Sequence, residues 1–323
     1  MNKTTLIVTF IIFSISCQPP ERSERKVYAV PEEAKDPDKI YNLMDEELPE
    51  KVLSEKQQAL FESNLEDARQ SYTSTPDSLE AIIWYGRRLA YLGRYLEAIK
   101  VYSDGLRIFP DSYRLYRHRG HRYITTRQLE KAIKDYELAA YYSRGTENQI
   151  EPDGLPNKLN QPLSNDQFNI WYHFGLAYYL SGRYDKALSA YNKCQEVSDN
   201  DDLKVATTYW QYLTYKKLGN NELASASLNG VSSQMQLIEN TDYHDLLLLF
   251  KGEKNGEELI QSATKKDGMI NPTLAYGIAS NYQHTGELDK ANELFLRTIE
   301  SPQWDAFGYI AAEAELKTIF PVP

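Results

Sequence analysis

Residues 113–123 read YRLYRHRGHRY, in which Arg114, Arg117, Arg119 and Arg122 alternate with His118 and His121. Side chains of these types can bind an anion, ligate a metal through imidazole, or move a proton. Nucleic acid is opposed by the chain as a whole: its formal net charge of −10 repels phosphate backbones. His118 and His121 stand three apart, a helical spacing that can place two imidazoles on one ion. Arginines flank both and no carboxylate lies nearby in sequence, so cation repulsion opposes a metal there. Anion binding, of a carboxylate in particular, suits the cluster, because arginine offers a planar fork of donors; a solvated charged face balanced by nearby Asp and Glu stands beside it as the other reading.

Other chemistry is not legible. The chain carries no G-x-G-x-x-G, P-loop, H-E-x-x-H, C-x-x-C or G-x-S-x-G. SDNDD at 198–202 has calcium-like acids but lacks the glycine and distal glutamate of an EF-hand loop, and reads as a solvated turn. Cys17 and Cys194 are too few for a disulfide framework or a four-cysteine zinc site. No catalytic residue, metal or cofactor is expected, and the chain is read as a non-enzyme.

The elements that position the basic stretch repeat. TPDS at 75–78 returns as FPDS at 109–112, Gly86 as Gly120, Ala98 as Ala132 and Tyr102 as Tyr136, each 34 residues on. A 34-residue period built from two helical patterns resembles the tetratricopeptide repeat family, whose unit is helix A, a tight turn and helix B. The resemblance covers roughly 50–320. Units fall near 79–112, 113–146, 168–201 and 205–238, with a degenerate unit at 240–268 and a last one at 272–303. The third begins near 168 rather than 147, after an insertion at 145–166. In the second, Arg119 stands where the family has leucine and Arg127 where it has the turn glycine. Gly86, Gly120 and Gly175 would let helix B approach helix A, with Ala98, Ala132 and Ala187 opposite them. Cys194 sits at a small-residue packing position and reads as a buried structural thiol. The 25 tyrosines suit half-buried helix interfaces with a wet hydroxyl. Segments 54–73 and 304–320 read as capping helices, the latter with Phe307, Ile310, Ala311 and Ala314 on one face. The expected fold is all-α, a right-handed solenoid of helical hairpins with a cap at each end.

In that family one face of helix A lines a concave groove. The resemblance places Arg114, Arg117, His118 and His121 there, joined by Arg87 and Tyr91 from the first unit and by Tyr172 and His173 from the third. The family's carboxylate clamp of Lys, Asn and Arg is not reproduced: Ile83, Arg87, His118, Asn169 and His173 occupy its positions. A basic, aromatic groove for an acidic protein segment is the expectation, with binding that weakens in salt and tightens from pH 7.5 to 6 as histidine protonates. The insertion 145–166 adjoins this face, and Glu151 and Asp153 are placed to lie across it as a lid.

The first 20 residues, MNKTTLIVTFIIFSISCQPP, have a Lys3 n-region and an apolar core over Leu6–Ile15. That core is shorter than the roughly 20 residues a spanning helix needs. Ser14-Ile15-Ser16-Cys17 resembles the lipobox of bacterial lipoproteins, which implies a signal peptide over 1–16, cleavage before Cys17 and lipid on its sulfur. Residues 17–50, dense in proline and mixed charge, are expected to tether the anchor to a folded body at 51–323. The expected function is a scaffold at a bacterial envelope membrane that binds a protein or acidic peptide in its groove. Two alternatives stand beside it: an assembly-factor lipoprotein of the outer membrane, and a small-anion receptor using the basic pocket.

Overall fold

The computed structural model describes residues 35–264 and 268–319. The expected signal peptide and Cys17 lie outside the described residues. Fourteen α-helices are present among those described, and no strand forms. A lone helix α1 (Glu55–Ser74) precedes six hairpins. These are α2 (Leu79–Tyr91) with α3 (Tyr95–Ile108), α4 (Tyr113–Thr125) with α5 (Leu129–Tyr142), and α6 (Asp166–Leu180) with α7 (Tyr184–Glu196). Then follow α8 (Asp201–Lys217) with α9 (Asn221–Ser227), α10 (Thr241–Phe250) with α11 (Gly256–Ala263), and α12 (Pro272–Thr285) with α13 (Leu288–Thr298). The last helix is α14 (Phe307–Ile319). The fold is an all-α solenoid of tetratricopeptide-like hairpins.

The repeated tetrapeptide is a helix-start signal. Ser78 and Ser112, its last residues, accept from the backbone N–H of Ala81 and Leu115 and cap α2 and α4. Within a hairpin, contact is set by a glycine facing a tyrosine. A Cβ on Gly175 would lie 2.5 Å from the Tyr191 ring, so only glycine admits that approach. Tyr102, Tyr136 and Tyr191 therefore sit wholly inside rather than half-buried, and the hydroxyls of Tyr136 and Tyr191 have no hydrogen-bond partner among the described residues. Cys194 is buried, and burial pushes its thiol up to about 12.

First helices of successive hairpins touch one another, α2 with α4, α4 with α6 and α6 with α8, and make the inner face. Two things there depart from the sequence reading. First, α14 is more than an end cap. Eight of its thirteen residues are buried, Glu313 and Glu315 among them. It reaches back along the inner face: Phe307 packs on His121 and His173, with ring centroids 5.5 Å away in each case. Glu313 pairs with Arg127 at 2.7 Å, and Glu315 with Lys217 at 2.6 Å. Second, residues 40–51 are docked rather than tether. Leu48 is buried, Leu43 and Met44 pack on the core, and Leu43 N–H donates to Glu313 Oε2 at 3.3 Å. Lys51 binds Asp305 at 2.6 Å, and Asp305 also accepts from Tyr95 Oη at 2.8 Å. These anchors follow no helical or strand period, so composition alone made the segment look like linker.

The two departures in the second hairpin have partners. Arg119 makes a fork of two bonds to Asp135, each 2.7 Å. Arg127 holds the left-handed turn conformation, φ +59°, which costs a non-glycine roughly 1–2 kcal/mol. Its guanidinium in return donates to both Glu313 oxygens and to the Trp304 carbonyl. SDNDD is no free turn: Asn200 caps α8 and Asp201 and Asp202 open it, and Asp202 is buried and accepts from the backbone N–H of Ile238, Glu239 and Asn240.

Candidate functional site

The basic face is built by three consecutive first helices. From α2 come Arg87, Arg88 and Tyr91, from α4 Arg114, Arg117 and His118, and from α6 Asn169. The 145–166 segment crosses this face and inserts Glu151 among them. Its carboxylate is buried, 3.1 Å from Arg117 Nη2, 3.7 Å from Arg87 Nη1 and 3.8 Å from His118 Nε2. Asn169 Nδ2 donates to it at 3.0 Å. Beyond the glutamate the backbone itself is gripped. Arg87 donates to the Pro152 carbonyl and Arg88 to the Gly154 carbonyl, each at 2.9 Å, while the Glu151 N–H donates to the Ser164 carbonyl at 2.9 Å. Trp84, unremarkable in the repeat pattern, lies under both guanidiniums, 4.4 Å from Arg87 and 4.9 Å from Arg88. That stacking presets the fork of each arginine.

The remaining expected site residues divide. Arg114 turns away to pair with Glu80 across the hairpins. Tyr91 touches the crossing segment, against Gly154. His121 and His173 stack on each other at 4.5 Å and lie beneath Phe307, not beneath the crossing segment. Tyr172 is a core residue whose hydroxyl accepts from Trp210 Nε1 at 2.8 Å and donates to Tyr243 at 3.2 Å.

Electrostatics corrects the expected pH response. Burial, then the charges of Arg117 and Arg87, hold His118 well below its ordinary value. Burial and Arg122 do the same to His121, and burial and Arg117 bring His173 down to about 3. These imidazoles are neutral from pH 7.5 to 6 and cannot supply the growing positive charge expected of them. The permanent cations are the arginines. Their arrangement suits one buried carboxylate on an extended backbone. The Arg117 side chain, 11% exposed, belongs to the packed face.

Residues 168–201 match the family described as tetratricopeptide repeat. The match runs from the first turn of α6 through α7 to the start of α8. A comparison with curated proteins finds no match. Among solved structures, the chain is similar to YrrB, described as a TPR protein with an unusual peptide-binding site. That match has TM-score 0.42 and 14% identity, and covers 78% of this chain and 99% of that one. It is similar also to MamA protein, with TM-score 0.41, 14% identity, and coverage of 62% and 89%. A third is Naa15/Naa10 bound to HypK-THB, with TM-score 0.36, 16% identity, and coverage of 82% and 40%. Among the described residues no helix is long and apolar enough to cross a membrane.

Proposed function

We propose that this protein is a non-enzymatic scaffold, held at a bacterial envelope membrane by lipid on Cys17, that binds an acidic segment of a partner protein on its basic inner face. One observation carries the reading: Glu151, 6% exposed, already occupies a carboxylate pocket of Arg87, Arg117 and Asn169 as part of a backbone gripped from both sides. The 145–166 segment is then an occupant that a partner displaces. The small-anion reading loses ground, because the space between Arg87, Arg117 and His118 is filled by Glu151 itself. An outer-membrane assembly role remains a narrower version of the same reading, favoured if an integral membrane protein co-purifies.

The test is cross-linking and pull-down of the mature protein from its native envelope, followed by titration with the captured partner. Binding should weaken with salt, because the contact is electrostatic. It should stay flat from pH 7.5 to 6, and Arg117→Glu should abolish it. Capture that ignores salt and Arg117→Glu sinks the basic-face reading. Retention of Cys17→Ser in the membrane pellet after a carbonate wash sinks the anchor, since a lipoprotein's stable attachment depends on its several acyl chains.

A further inference from the structure

The crossing segment also specifies what the face accepts. We infer that the basic face recognises an extended protein segment of the pattern Glu-x-x-Gly; this rests on the reading above that the face binds acidic partners. Each position follows from a contact. The glutamate fills the pocket of Arg117, Arg87 and Asn169, with Arg117 Nη2 at 3.1 Å. Its own N–H meets the Ser164 carbonyl, just before α6 begins. The next residue, Pro152, is exposed and contributes only a carbonyl, to Arg87. The third, Asp153, is half-buried, with its carboxyl raised by burial against the pull of Arg87. The fourth must be glycine. Its carbonyl is held by Arg88, and a Cβ there would lie 1.7 Å from Tyr91 Oη and 2.8 Å from Arg87 Nη2. Arg87 stacks on Trp84 and sits against Glu151, so a side chain at the fourth position displaces Tyr91 and disturbs the glutamate pocket.

The internal copy is an imperfect occupant. Arg117 Nε and Asp153 Oδ2 are buried with no hydrogen-bond partner among the described residues. Glu151 approaches Arg117 through Nη2, and a free ligand can rotate to engage Nε as well. Beyond Gly154 the segment rises off the face, with Leu155 52% and Leu159 65% exposed. Tethering nevertheless gives it an effective concentration in the millimolar range, so a peptide in solution competes poorly until the segment is removed.

The experiment uses the full chain in two opened forms. One has residues 150–162 replaced by a short Gly-Ser linker, which leaves Ser164 and every cradle arginine. The other is Gly154→Val, which evicts the segment without shortening it. The probe is a labelled synthetic peptide of this chain's own residues 148–156, NQIEPDGLP. Variants carry Gln for the glutamate, Val for the glycine or Ala for the proline, and all are titrated by fluorescence anisotropy. Both opened proteins should bind the parent peptide on the order of a hundredfold more tightly than the intact chain. The Gln and Val peptides should lose about tenfold or more, and the Ala peptide little. If the Gln peptide fails while the Val peptide binds like the parent, the glycine rule is wrong and the acidic-partner reading stands. If folded, opened protein binds none of the peptides, both fall. If Gly154→Val unfolds the helices, the segment is a fixed part of the core and the exchange is wrong.

Discussion

Two parts of the chain cover the same inner face, and they do so by opposite means. The 145–166 segment holds on through one carboxylate and a few backbone carbonyls, while its tip stands in solvent. The last helix, α14, holds on through apolar burial on most of its circumference and through two buried carboxylates. The segment's carboxylate is buried, but the chain that carries it runs out into solvent on one side, so the segment can lift away and leave its cations to water or another anion. A helix whose Ile310, Ala311 and Ala312 are wholly buried cannot leave without dismantling the core. One covering is a ligand in form and the other is part of the fold.

The comparison breaks most visibly at Glu313. Glu313→Ala leaves Arg127, 3% exposed, without its counter-ion, and should cost about 3–5 kcal/mol by urea unfolding. Burial raises the Glu313 carboxyl even against Arg127, which marks how costly the pair is to bury. The double change Arg127→Gly with Glu313→Leu should therefore recover most of the loss, since glycine suits the +59° turn and leucine needs no partner. A double variant no better than the single one would mean that the pair is a source of net stability.

Next in size is the hairpin contact. Gly175→Leu drives a side chain into the Tyr191 ring, and overpacking alone costs about 1–3 kcal/mol, with helix displacement added. Glu293→Ala, away from such contacts, should stay within about 0.5 kcal/mol. Equal melting temperatures would contradict the glycine–tyrosine packing.

Acid should act through the buried imidazoles of the inner face and of α12. His118, His121, His173 and His284 all have folded values below the ordinary 6.5, two of them at about 3. Between 6.5 and those values the unfolded chain binds more protons, so stability falls as pH falls below about 6.5 and is fully present above it. Asp135 and Asp166, raised chiefly by burial, act in the opposite sense only nearer the carboxylate range. Unfolding midpoints at pH 7.5, 6.5 and 5.5 should decline over the last step. His173→Gln should flatten the decline, and a midpoint unchanged at pH 5.5 would place these imidazoles in water.

How much of this was legible depends on sequence distance. The hairpins, their caps and the Gly175–Tyr191 contact lie within one 34-residue unit, so period and residue type sufficed. Arg119 and Arg127 stood out as departures, but only the Asp135 partner lies within the same unit. Glu313 is 186 residues from Arg127, and nothing local links them. The same distance hid the role of α14, whose burial partners lie in the second and fourth hairpins. Glu151 was legible as a neighbour of the basic cluster because the insertion begins where α5 ends. Trp84 and Arg88 were not, since nothing in sequence says that two arginines will read a backbone. His121, His173 and Tyr172 shared a helical face with the site and were assigned to it, and α14 covers them instead.

The smallest expected effect sharpens the comparison most. Glu151→Ala removes a carboxylate as fully buried by neighbours as many core acids, and by burial alone it should resemble Glu313→Ala. It should not. When Glu151 is lost, the segment can lift away and let Arg87 and Arg117 hydrate, so no cation stays buried and unpaired. The stability cost should be about 1 kcal/mol or less, in the range of an exposed ion pair, and should shrink with added salt. Amide exchange in 150–156 should meanwhile rise in the variant, with α14 unchanged. A loss equal to that of Glu313→Ala, with exchange in 150–156 still slow, would show that the segment is locked and that both coverings belong to the core.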